Sequence, residues 1–467
     1  MSAVDNAFFD LANPSPDYRD FRALADDKKV LRNPHKGWYW HYIDNGYGRD
    51  NYRAAHDPAD HCEDFPGLNH LYLRFDWGDI EKREGVYDWS YIDAIMDEWS
   101  RYDYRFAFRI CTFEGDGSVE SLKFATPKWV FDAGAQYTLC ANGAYEPDYG
   151  DPVYLDKLER FMRVYGEKFN RDPRVELIDI GTFGTWGEGH TGNGSGKVWP
   201  VEVMQRHIDL HVKNFPDKPV LLNDDFINHR GKARPLRENR ALLDYAAREG
   251  CGARDDSVCV EYYSRTCGYN TLRTPFLFDH FWKQAPVDLE FEHYTNVLAR
   301  PDDFQDGLPL LDALQRTHAT YAGFHGYPRP WLQRMPYLTK YLANRLGYWY
   351  FLDGMELPVL RNGDNALAFY FTNRGFAPCY TRYTAKVCLI DTAGVSFESE
   401  LSSLDNRGWE NGCTTVERVH LPLQGMTPGD YLFCFGLFEG DRPIELGIRD
   451  LYREDNGYYR LAKAVVR

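Results

Sequence analysis

Up to about residue 350, short runs of β-branched and aromatic residues alternate with stretches in which apolar residues recur at helical spacing. This alternation is typical of βα units around a parallel sheet. Eight runs are predicted as strands, at residues 37–41, 70–77, 105–113, 175–180, 219–226, 250–257, 286–294 and 317–324. Eight is the number of strands in a closed (β/α)8 barrel, so the pattern predicts an α/β protein with a TIM barrel.

Helix signals between these runs are clearest in two places. In the stretch 91–102, one helix face collects Ile92, Ile95, Met96 and Trp99. After the Gly- and Pro-rich loop 114–150, Asp151 is a residue type that caps helix N-termini, and Pro152 occupies the first helical position. Apolar residues then repeat at helical spacing to Phe169, which predicts a long helix.

The helical periodicity stops after residue 353. Alternating strands, such as 366–372, 384–390 and 431–438, are separated by turns that contain Gly, Asn, Asp and Pro. Short strands joined by such turns are typical of a β-sandwich. The 467 residues are therefore predicted to form a barrel of residues 1–352 and a β-sandwich accessory domain of residues 353–467.

The composition argues against several classes of protein. Apolar residues make up 43% of the chain and charged residues 27%, as in a globular protein with a sizeable core. Lys and Arg number 54 against 70 Asp and Glu, and the net charge of −16 repels nucleic acid and anionic lipid. The sequence shows neither an apolar run of about 20 residues nor a signal peptide, so we expect a cytoplasmic protein.

Cysteine and aromatic residues add two expectations. The ten cysteines contain no CxxC pair, which predicts free thiols in a reducing compartment rather than a zinc or thioredoxin-type site. Aromatic residues make up 16% of the chain. They could line a carbohydrate groove, since sugar C–H faces stack on rings, or fill cores and domain interfaces. In the first case, Trp38 and Trp40 in the first strand are predicted to form a sugar platform.

In a TIM barrel the catalytic groups come from the C-terminal ends of the strands. The polar residues at the predicted strand ends are Arg74, Asp76, Arg109, Glu188, His190, Asn223, Asp224, Asp225, Arg254, Asp255, Asp256, Glu290, Glu292 and His318. A single Arg or Asp at such a position is more typical of a structural ion pair. The convergence of so many on one rim indicates a site.

Glu188 is distinguished by its setting, Gly184-Thr185-Trp186-Gly187-Glu188-Gly189-His190. The glycines permit a tight turn and the close approach of a ligand, and Trp186 lowers the local polarity. Burial of this kind raises the pKa of a carboxyl group, as a general acid requires. The alternative is a glutamate that caps a helix on a Gly-rich turn.

Glu290 and Glu292 are two residues apart on the seventh predicted strand, so both side chains would point into the barrel. Two carboxylates there are costly unless they pair with arginine, with Arg74 or Arg109 as partners, or take part in chemistry. Glycoside hydrolysis uses two carboxylates on facing strand ends. One protonates the leaving oxygen and the other attacks the anomeric carbon, at a separation of about 5 Å.

The remaining candidate ligands do not favour a metal. His190, His318 and His325 have no metal-ligand spacing, so hydrogen bonds to sugar hydroxyls are favoured. The acidic runs at 223–225 and 254–256 could hold a hard cation such as calcium, although solvated or arginine-paired carboxylates are the more frequent outcome. We predict no metal and no cofactor.

Several stretches resemble a known family. NPHKGW, LYLRFDWGDIEKREGVYDWSYID, VELIDIGTFGTWGEGH, PVLLNDD, GARDDS and PVDLE are similar to glycoside-hydrolase-like (β/α)8 barrels related to clan A. The C-terminal sandwich of that family is a domain of unknown function, and FTNRGFAP, DNRGW and PLQGMTPGDYLFCF resemble it. The resemblance covers nearly the whole chain, and W-x-[DE]-[IL]-E-x-x-x-G-x-Y-[DN]-W and G-x-W-G-E are its most specific motifs.

The resemblance implies a retaining glycosidase with its acid/base on strand four and its nucleophile on strand seven. Matched position by position, the acid/base is Glu188 and the nucleophile is Glu290, with Glu292 in reserve. Arg74 resembles the strand-two arginine that neutralises the nucleophile.

One position departs from the family pattern. Clan A enzymes usually carry Asn immediately before the acid/base, where it holds the sugar 2-hydroxyl. This chain has Gly187 there, and Asn223 or His190 is the candidate replacement.

Two functions of different classes follow. The first is a glycosidase acting on an imported oligosaccharide, without nucleic acid or membrane partners and compatible with a homo-oligomer. The second is a carbohydrate-binding or catalytically silent barrel, and a lyase is a weaker third reading. If Glu188 faces Glu290 or Glu292 across an open cleft, hydrolysis is favoured. Carboxylates that are remote, or both locked in buried arginine pairs, favour binding.

Overall fold

The structure is a computed structural model that describes residues 15–44, 56–227, 240–258 and 275–467. It consists of two compact units, one from His35 to Gly347 and one that joins the residues up to Pro34 with Tyr348–Arg467. The boundary therefore differs from the predicted one at residues 352 and 353. The three-residue strand Tyr18–Asp20 pairs with Tyr350–Glu356, which places the N-terminal segment in the second unit.

The first unit confirms the predicted barrel. Its strands are β1 (Gly37–Ile43), β2 (Leu68–Asp76), β3 (Arg105–Cys111), β4 (Val175–Asp179), β5 (Val220–Asn223), β6 (Gly252–Val258), β7 (Val287–Phe291) and β8 (Tyr321–Phe324). All are parallel to their neighbours, and β8 pairs with β1 to close the sheet. Each strand falls within or overlaps a predicted run, because strands buried on both faces have nearly continuous apolar sequence.

Helices of nine or more residues in the described part of this unit are α1 (Ser90–Trp99), α2 (Pro152–Phe169), α3 (Val201–Asn214), α4 (Arg240–Arg248), α5 (Leu308–Arg316) and α6 (Pro336–Arg345). Shorter helices span Trp77–Ile80, Glu120–Lys123, Lys128–Asp132, Tyr294–Ala299, Pro301–Phe304 and Arg329–Arg334. The 3-10 turns are Ser100–Tyr102, Thr185–Gly187, Asp224–Phe226, Pro275–His280 and Gln305–Gly307, and Tyr137–Leu139 pairs with Tyr145–Pro147. Helix α2 begins as predicted, because the Asp151 side chain accepts from the N–H groups of Val153 and Tyr154.

Alternate side chains of the barrel strands fill its interior. One buried layer consists of Tyr39, Tyr72, Ala107, Leu177, Leu221 and Tyr321. The Tyr39 ring lies against Gly323 of β8, where an added Cβ would be 1.9 Å from the ring. Residues two positions further along the same strands, such as Arg109 and Asp179, point inward nearer the C-terminal ends.

Trp38 and Trp40 alternate with Tyr39 and His41 along β1, so their side chains point to the outer face of the barrel. Their predicted role as a sugar platform is wrong. Both are 0% exposed. Trp38 packs edge-on against Phe291, with ring centroids 5.5 Å apart, and donates from Nε1 to the carbonyl of Thr339 on α6. Trp40 packs against Trp99 of α1. Both rings therefore belong to the core between the sheet and the outer helices.

The second unit contains antiparallel strands β9 (Tyr350–Glu356), β10 (Gly363–Asn373), β11 (Thr384–Asp391), β12 (Gly394–Glu400), β13 (Thr414–Leu423), β14 (Gly429–Glu439), β15 (Arg442–Ile444) and β16 (Tyr459–Val466). One sheet has the order Tyr18–Asp20, β9, β10, β13. The other has the order β12, β11, β14, and both β15 and β16 pair with β14. Short 3-10 turns span Arg22–Leu24, Asn406–Gly408 and Asp450–Tyr452. Aromatic and aliphatic residues of both sheets form one core, consistent with a β-sandwich.

The described cysteines are free thiols; seven of them are buried and Cys413 is exposed. Cys259 and Cys267 lie outside the described residues. Among the helices that the structure describes, none combines the length and the apolar character needed to cross a bilayer.

Candidate active site

Glu188 lies on a sharply turned loop after β4. Thr185–Gly187 form a 3-10 turn in which Trp186 has a φ of 56°. The Trp186 carbonyl accepts a hydrogen bond from Arg109 Nη1 on the neighbouring β3, at 3.1 Å. The turn thus attaches to a residue that points into the barrel, and it brings Glu188 Oε1 to 3.4 Å from the same Nη1 atom.

Glycine is required immediately before Glu188. Gly187 has a φ of 73°, and a Cβ at this position would lie 2.6 Å from the Cα of Gly181. The asparagine that clan A barrels carry here therefore has no room.

His190 contacts the other oxygen of Glu188. Its Nδ1 atom accepts a hydrogen bond from the Gly192 N–H at 3.0 Å, which places the ring proton of the neutral imidazole on Nε2. Nε2 lies 3.6 Å from Glu188 Oε2. His190 is therefore at the site, as predicted, with its proton directed at the carboxylate.

The predicted direction of the Glu188 pKa is wrong. Burial does oppose ionisation, but the neighbouring His190 ring and the charge of Arg109 outweigh it, and the pKa of Glu188 is lowered to about 2. Trp186, the expected source of low polarity, is only half-buried. A general acid at neutral pH therefore needs a second group to supply the proton.

Asp256 on β6 is that neighbour. Burial, together with the negative charge of Glu188, raises the pKa of Asp256 to about 7. The sequence placed Asp256 at the rim as a substrate contact. The structure places its carboxyl group where the charge of the candidate acid/base acts on it instead.

Glu290 on β7 is the second predicted carboxylate, and it is buried. Arg254 on β6 donates from Nη2 to Glu290 Oε2. His41 Nδ1 lies 3.3 Å from the same oxygen, and His325 Nδ1 lies 3.2 Å from Oε1. The guanidinium stabilises the charged form of Glu290, which a nucleophile needs.

The arginine that pairs with Glu290 is Arg254, and the sequence had predicted Arg74 or Arg109 for this place. Arg74 Nη2 binds Asp44 Oδ1 at 3.0 Å and Glu114 Oε2 at 3.2 Å, and these carboxylates follow the strands on either side of β2. Arg109 binds Asp179 and Glu188. Neither arginine pairs with Glu290 as expected, and Arg254 takes that place.

Asp179, at the end of β4, links the two halves of the site. It accepts hydrogen bonds from Arg109 Nε at 2.9 Å and Nη2 at 2.7 Å, and Arg254 Nε lies 3.3 Å away. The Tyr72 hydroxyl donates to it at 2.5 Å. A chain of alternating charge therefore runs from Glu188 through Arg109, Asp179 and Arg254 to Glu290.

His41 and His325 each span two carboxylates. Their Nε2 atoms lie 3.4 and 3.5 Å from Asp44, and their Nδ1 atoms face Glu290. The two rings are stacked, with centroids 4.9 Å apart. Burial holds the pKa of His41 well below its usual range, so this imidazole is neutral at pH 7.

Asp76, at the end of β2, is fully buried beside Glu114. Burial and the neighbouring Glu114 raise its pKa well above the usual range, which makes it a neutral hydrogen-bonding group beside Glu114. Because its side chain is 0% exposed, the structure gives no surface for the substrate contact predicted for it.

The Glu292 side chain forms hydrogen bonds within the turn after β7. Its Oε1 atom accepts from the His293 N–H at 2.8 Å and from Asn296 Nδ2 at 2.7 Å, so it stabilises the start of the helix Tyr294–Ala299. It also lines a small pocket whose other walls are Phe291, Val297, Phe324, His325, Gly326, Tyr327 and Trp331. These local bonds favour Glu290 over Glu292 as the nucleophile.

His318 lies at the wrong end of the barrel for its predicted role. It precedes β8, whereas the site gathers at the C-terminal strand ends, and its ring stacks on Trp282 at 3.7 Å between centroids. The predicted run 317–324 began four residues before the strand. Even within the predicted run His318 is near the N-terminal end, so its place among the strand-end residues was wrong whichever boundary is used.

Asn223 and Asp224 end β5 close to the site. Asn223 is buried, and its Oδ1 accepts from the Asp225 N–H at 3.0 Å. Ligand atoms of Asp224, Asp255 and Asp256 lie within 4.8 Å of one another, a donor set of the kind hard cations use. Burial raises the pKa of Asp256 to about 7, which weakens this set as a cation site because the carboxyl group is protonated below that pH.

Several residues of the site went unrecognised in the sequence, namely His41, Asp44, Tyr72, Glu114, Asp179 and Asp288. Strand parity could have identified most of them. Tyr39 and His41 share a face, as do Leu177 and Asp179, and Asp288 precedes Glu290 by two residues. Asp44 and Glu114 follow β1 and β3 by one and three residues, where no periodicity applies.

No protein-family model and no curated protein matches the chain. Solved structures that resemble it include endo-glycoceramidase II from Rhodococcus sp. in a cellobiose-like imidazole complex, at 12% identity and a TM-score of 0.44 over 86% of this chain and 99% of that one. Xylanase 10B from Thermotoga maritima is 11% identical, with a TM-score of 0.39 over 66% and 86% of the two chains. An exo-β-1,4-mannosidase from Opitutaceae bacterium strain TAV5 is 15% identical, with a TM-score of 0.41 over 68% and 57%. The likeness to glycoside-hydrolase barrels is one of fold.

Proposed function

We propose that this protein is a retaining glycoside hydrolase that cleaves a glycosidic bond in an oligosaccharide. Glu188 is assigned as acid/base and Glu290 as nucleophile. The observation that carries the proposal is the pair of carboxylates at the C-terminal end of the barrel, on the loop after β4 and on β7. Each has its own arginine and its own histidine contact.

The surroundings of the two carboxylates suit different tasks. Glu290 has Arg254 beside it and no described carboxyl partner, so it stays charged and can attack. Glu188 raises the pKa of Asp256, which burial also raises, to about 7, so a carboxyl group that acts on Glu188 still carries a proton near neutral pH. Environments that separate the charges of two carboxyl groups are typical of acid and nucleophile assignments.

A silent or carbohydrate-binding barrel is supported by one observation. Glu290 forms a buried ion pair with Arg254, and Glu188 lies beside buried Arg109. Buried arginine pairs were the feature expected of that alternative. Binding of an oligosaccharide without its conversion, measured by calorimetry alongside product analysis, would identify it.

The Glu188→Gln variant tests the proposal. Its activity on substrates with poor leaving groups should fall about 10²- to 10⁴-fold, because no proton reaches the leaving oxygen, while an activated aryl glycoside is largely spared. The matched control is Glu176→Gln. Glu176 is a buried glutamate at the other end of β4, bonded to His35 and Tyr321. Equal losses on both substrates in Glu188→Gln would remove the acid role.

A further inference from the structure

Two cysteines lie directly opposite each other in the second sheet of the sandwich unit. Cys388 on β11 is the register partner of Cys434 on β14, so both side chains leave the sheet on the same face. Both residues are 0% exposed, belong to one hydrophobic cluster and carry free thiols. Among the described cysteines, this is the pair that the strand register places side by side.

The register limits the distance between the two residues. Directly opposite residues of antiparallel strands have Cα atoms about 4.5 or 5.5 Å apart, depending on their hydrogen-bonding position. Disulfides span Cα separations of about 4.4–6.8 Å, and the ranges of Cβ separation for the two arrangements meet at about 4.5 Å. A bond between Cys388 and Cys434 therefore needs no change of register and little movement of the strands.

The pair lies on the outer face of its sheet, away from the core between the two sheets. The residues that flank the two cysteines along both strands belong to that core, namely Val387, Leu389, Phe433 and Phe435. Because side chains alternate along a strand, Cys388 and Cys434 point in the opposite direction. The main core of the unit therefore does not cover them.

The cover on the outer face is thin. It consists of the Phe438 and Tyr458 rings, whose centroids lie 5.2 Å apart. The next pair on the same face, Ile390 and Leu432, is half-buried. Buried thiols are ordinarily inert, so reaction of the pair depends on a small molecule passing this single apolar layer.

The strand pairing is also irregular beside Cys434. On the other side of β14, the register with β16 shifts between Phe433 and Cys434. A shift of this kind leaves a residue unpaired and disrupts the hydrogen-bond ladder locally. The backbone at Cys434 is thus held less firmly than in a regular sheet, which helps a small oxidant to enter.

We propose that Cys388 and Cys434 form a redox-active dithiol, which hydrogen peroxide converts to a cross-strand disulfide and which a thiol reductant restores. The site lies within the sandwich unit. It does not depend on the proposed glycosidase function.

The reaction balances with two thiols and one peroxide. The Cys388 thiolate attacks one peroxide oxygen, the O–O bond breaks, and the hydroxide that leaves takes up the thiol proton as water. The Cys434 sulfur then attacks the sulfenic sulfur of Cys388, the S–O bond breaks, and a second water carries away the Cys434 proton. The two sulfur atoms lose two electrons in all, and the two peroxide oxygens gain them. Cys388 is assigned the first step because the neighbouring Cys434 lowers the pKa of its thiol.

Peroxide treatment of the folded protein, followed by peptide mapping, tests the proposal. The treated protein is unfolded in urea with N-ethylmaleimide, digested without reductant and analysed by mass spectrometry. We expect a peptide that joins Cys388 to Cys434, lighter by two hydrogen atoms than the two thiol peptides together. Dithiothreitol should convert it back to those two peptides.

Cys379 is the control thiol of the same unit. It is 1% exposed, and its sulfur lies 3.3 Å from the Tyr383 hydroxyl. At a peroxide concentration that joins the pair completely, Cys379 should remain available to N-ethylmaleimide. In Cys434→Ala, Cys388 should instead accumulate as the sulfinic acid, because no sulfur is present to trap its sulfenic acid.

Three outcomes would reject the dithiol. The first is full alkylation of Cys388 and Cys434 after a treatment that oxidises the exposed Cys413. The second is a joined peptide that forms only when peroxide is added after unfolding, and the third is oxidation of Cys379 at the same rate as the pair. The wild-type protein alone gives these results, so they do not depend on the folding of a variant.

Discussion

The two compact units bury different kinds of polar side chain. Among the described residues, every buried Asp, Glu, Lys or Arg belongs to the barrel unit. The buried polar side chains of the sandwich unit are amides, those of Asn33, Asn365, Asn373 and Asn406. The sandwich unit thus buries neutral amide side chains, whereas the barrel unit also buries charged ones.

The amides serve the backbone. Asn373 accepts from the N–H groups of Trp349 and Gly375 and donates to the carbonyls of Ala377 and Trp409. All of its hydrogen-bonding groups are satisfied within the unit. Such a residue fixes loops around an apolar core, and nothing in it is left for chemistry.

The charges of the barrel interior have a different cost. Removing ions such as Arg109 and Asp179 from water is expensive, and apolar residues of similar volume would often be as stable. Buried, mutually perturbed charges are typical of functional sites. We infer that the barrel retains its charges for reactivity, whereas the sandwich core is built for stability. The predictions below test this contrast.

The largest expected effect is on activity. Glu290→Gly should lower turnover of ordinary glycosides on the order of 10⁴-fold or more, because the attacking carboxylate is gone. Added azide should restore turnover and give a glycosyl azide of inverted configuration, measured by product NMR. Glu292→Gly is the matched control, since its carboxylate serves the turn after β7. If azide restores turnover in Glu292→Gly and not in Glu290→Gly, the nucleophile is Glu292. If the wild-type enzyme inverts the anomeric configuration, the covalent mechanism is rejected.

Asp179→Asn should destabilise the barrel by about 3–5 kcal/mol, because Arg109 and Arg254 lose a buried counter-charge. The comparison is Asn373→Ala in the sandwich, which leaves neutral backbone groups unpaired at a cost of about 1–3 kcal/mol. Urea unfolding curves of each variant measure both effects. Only the barrel variant should also shift the pH profile of activity. Equal, pH-independent losses would remove the distinction between the units.

Trp38→Ala and Trp409→Ala should both cost about 3–5 kcal/mol of unfolding free energy, since each removes a fully buried indole. Trp409 stacks on Phe371 in the sandwich, with centroids 3.9 Å apart. Kinetics at a temperature where the variants remain folded should show an unchanged KM for Trp38→Ala. A raised KM with normal thermal stability would instead return Trp38 to substrate binding.

The last prediction is a pH-dependent difference in stability between wild type and Asp256→Asn. Unfolded Asp loses its proton near a pKa of about 4, whereas folded Asp256 keeps it to about 7. The unfolded state therefore binds fewer protons between these values, and wild-type stability should decline relative to the variant as pH rises from about 4 to 7. Above pH 7 the difference should level off. Melting temperatures across this range measure it, and a difference that is constant with pH would contradict the raised pKa.

Local periodicity was enough to predict much of the fold. All eight barrel strands were identified from apolar runs, and the start of α2 from Asp151 and Pro152. Glu188 and Glu290 were placed at the C-terminal end of the barrel because strand ends converge there whatever the details of packing. Trp38 and Trp40 were misplaced, although the sequence shows that they alternate with Tyr39 and His41 and therefore point to the opposite face of the strand.

Other features had no local signal. Arg74, Arg109 and Arg254 are alike in sequence, and which carboxylate each one binds depends on strand register and on the loop residues Asp44 and Glu114. The strand Tyr18–Asp20 is too short to show a period, so its place in the second unit emerged only from pairing with β9.

The sequence by itself determined the two kinds of unit, the strand order and the carboxyl groups that reach the end of the barrel. These follow from hydrophobic period and residue type, which are local properties. Only the tertiary structure decided that Glu188 lies beside Arg109 and His190, which lower its pKa, and that Glu290 pairs with Arg254. Protonation is set by charges and burial contributed from several strands, and those distances exist only once the barrel has closed.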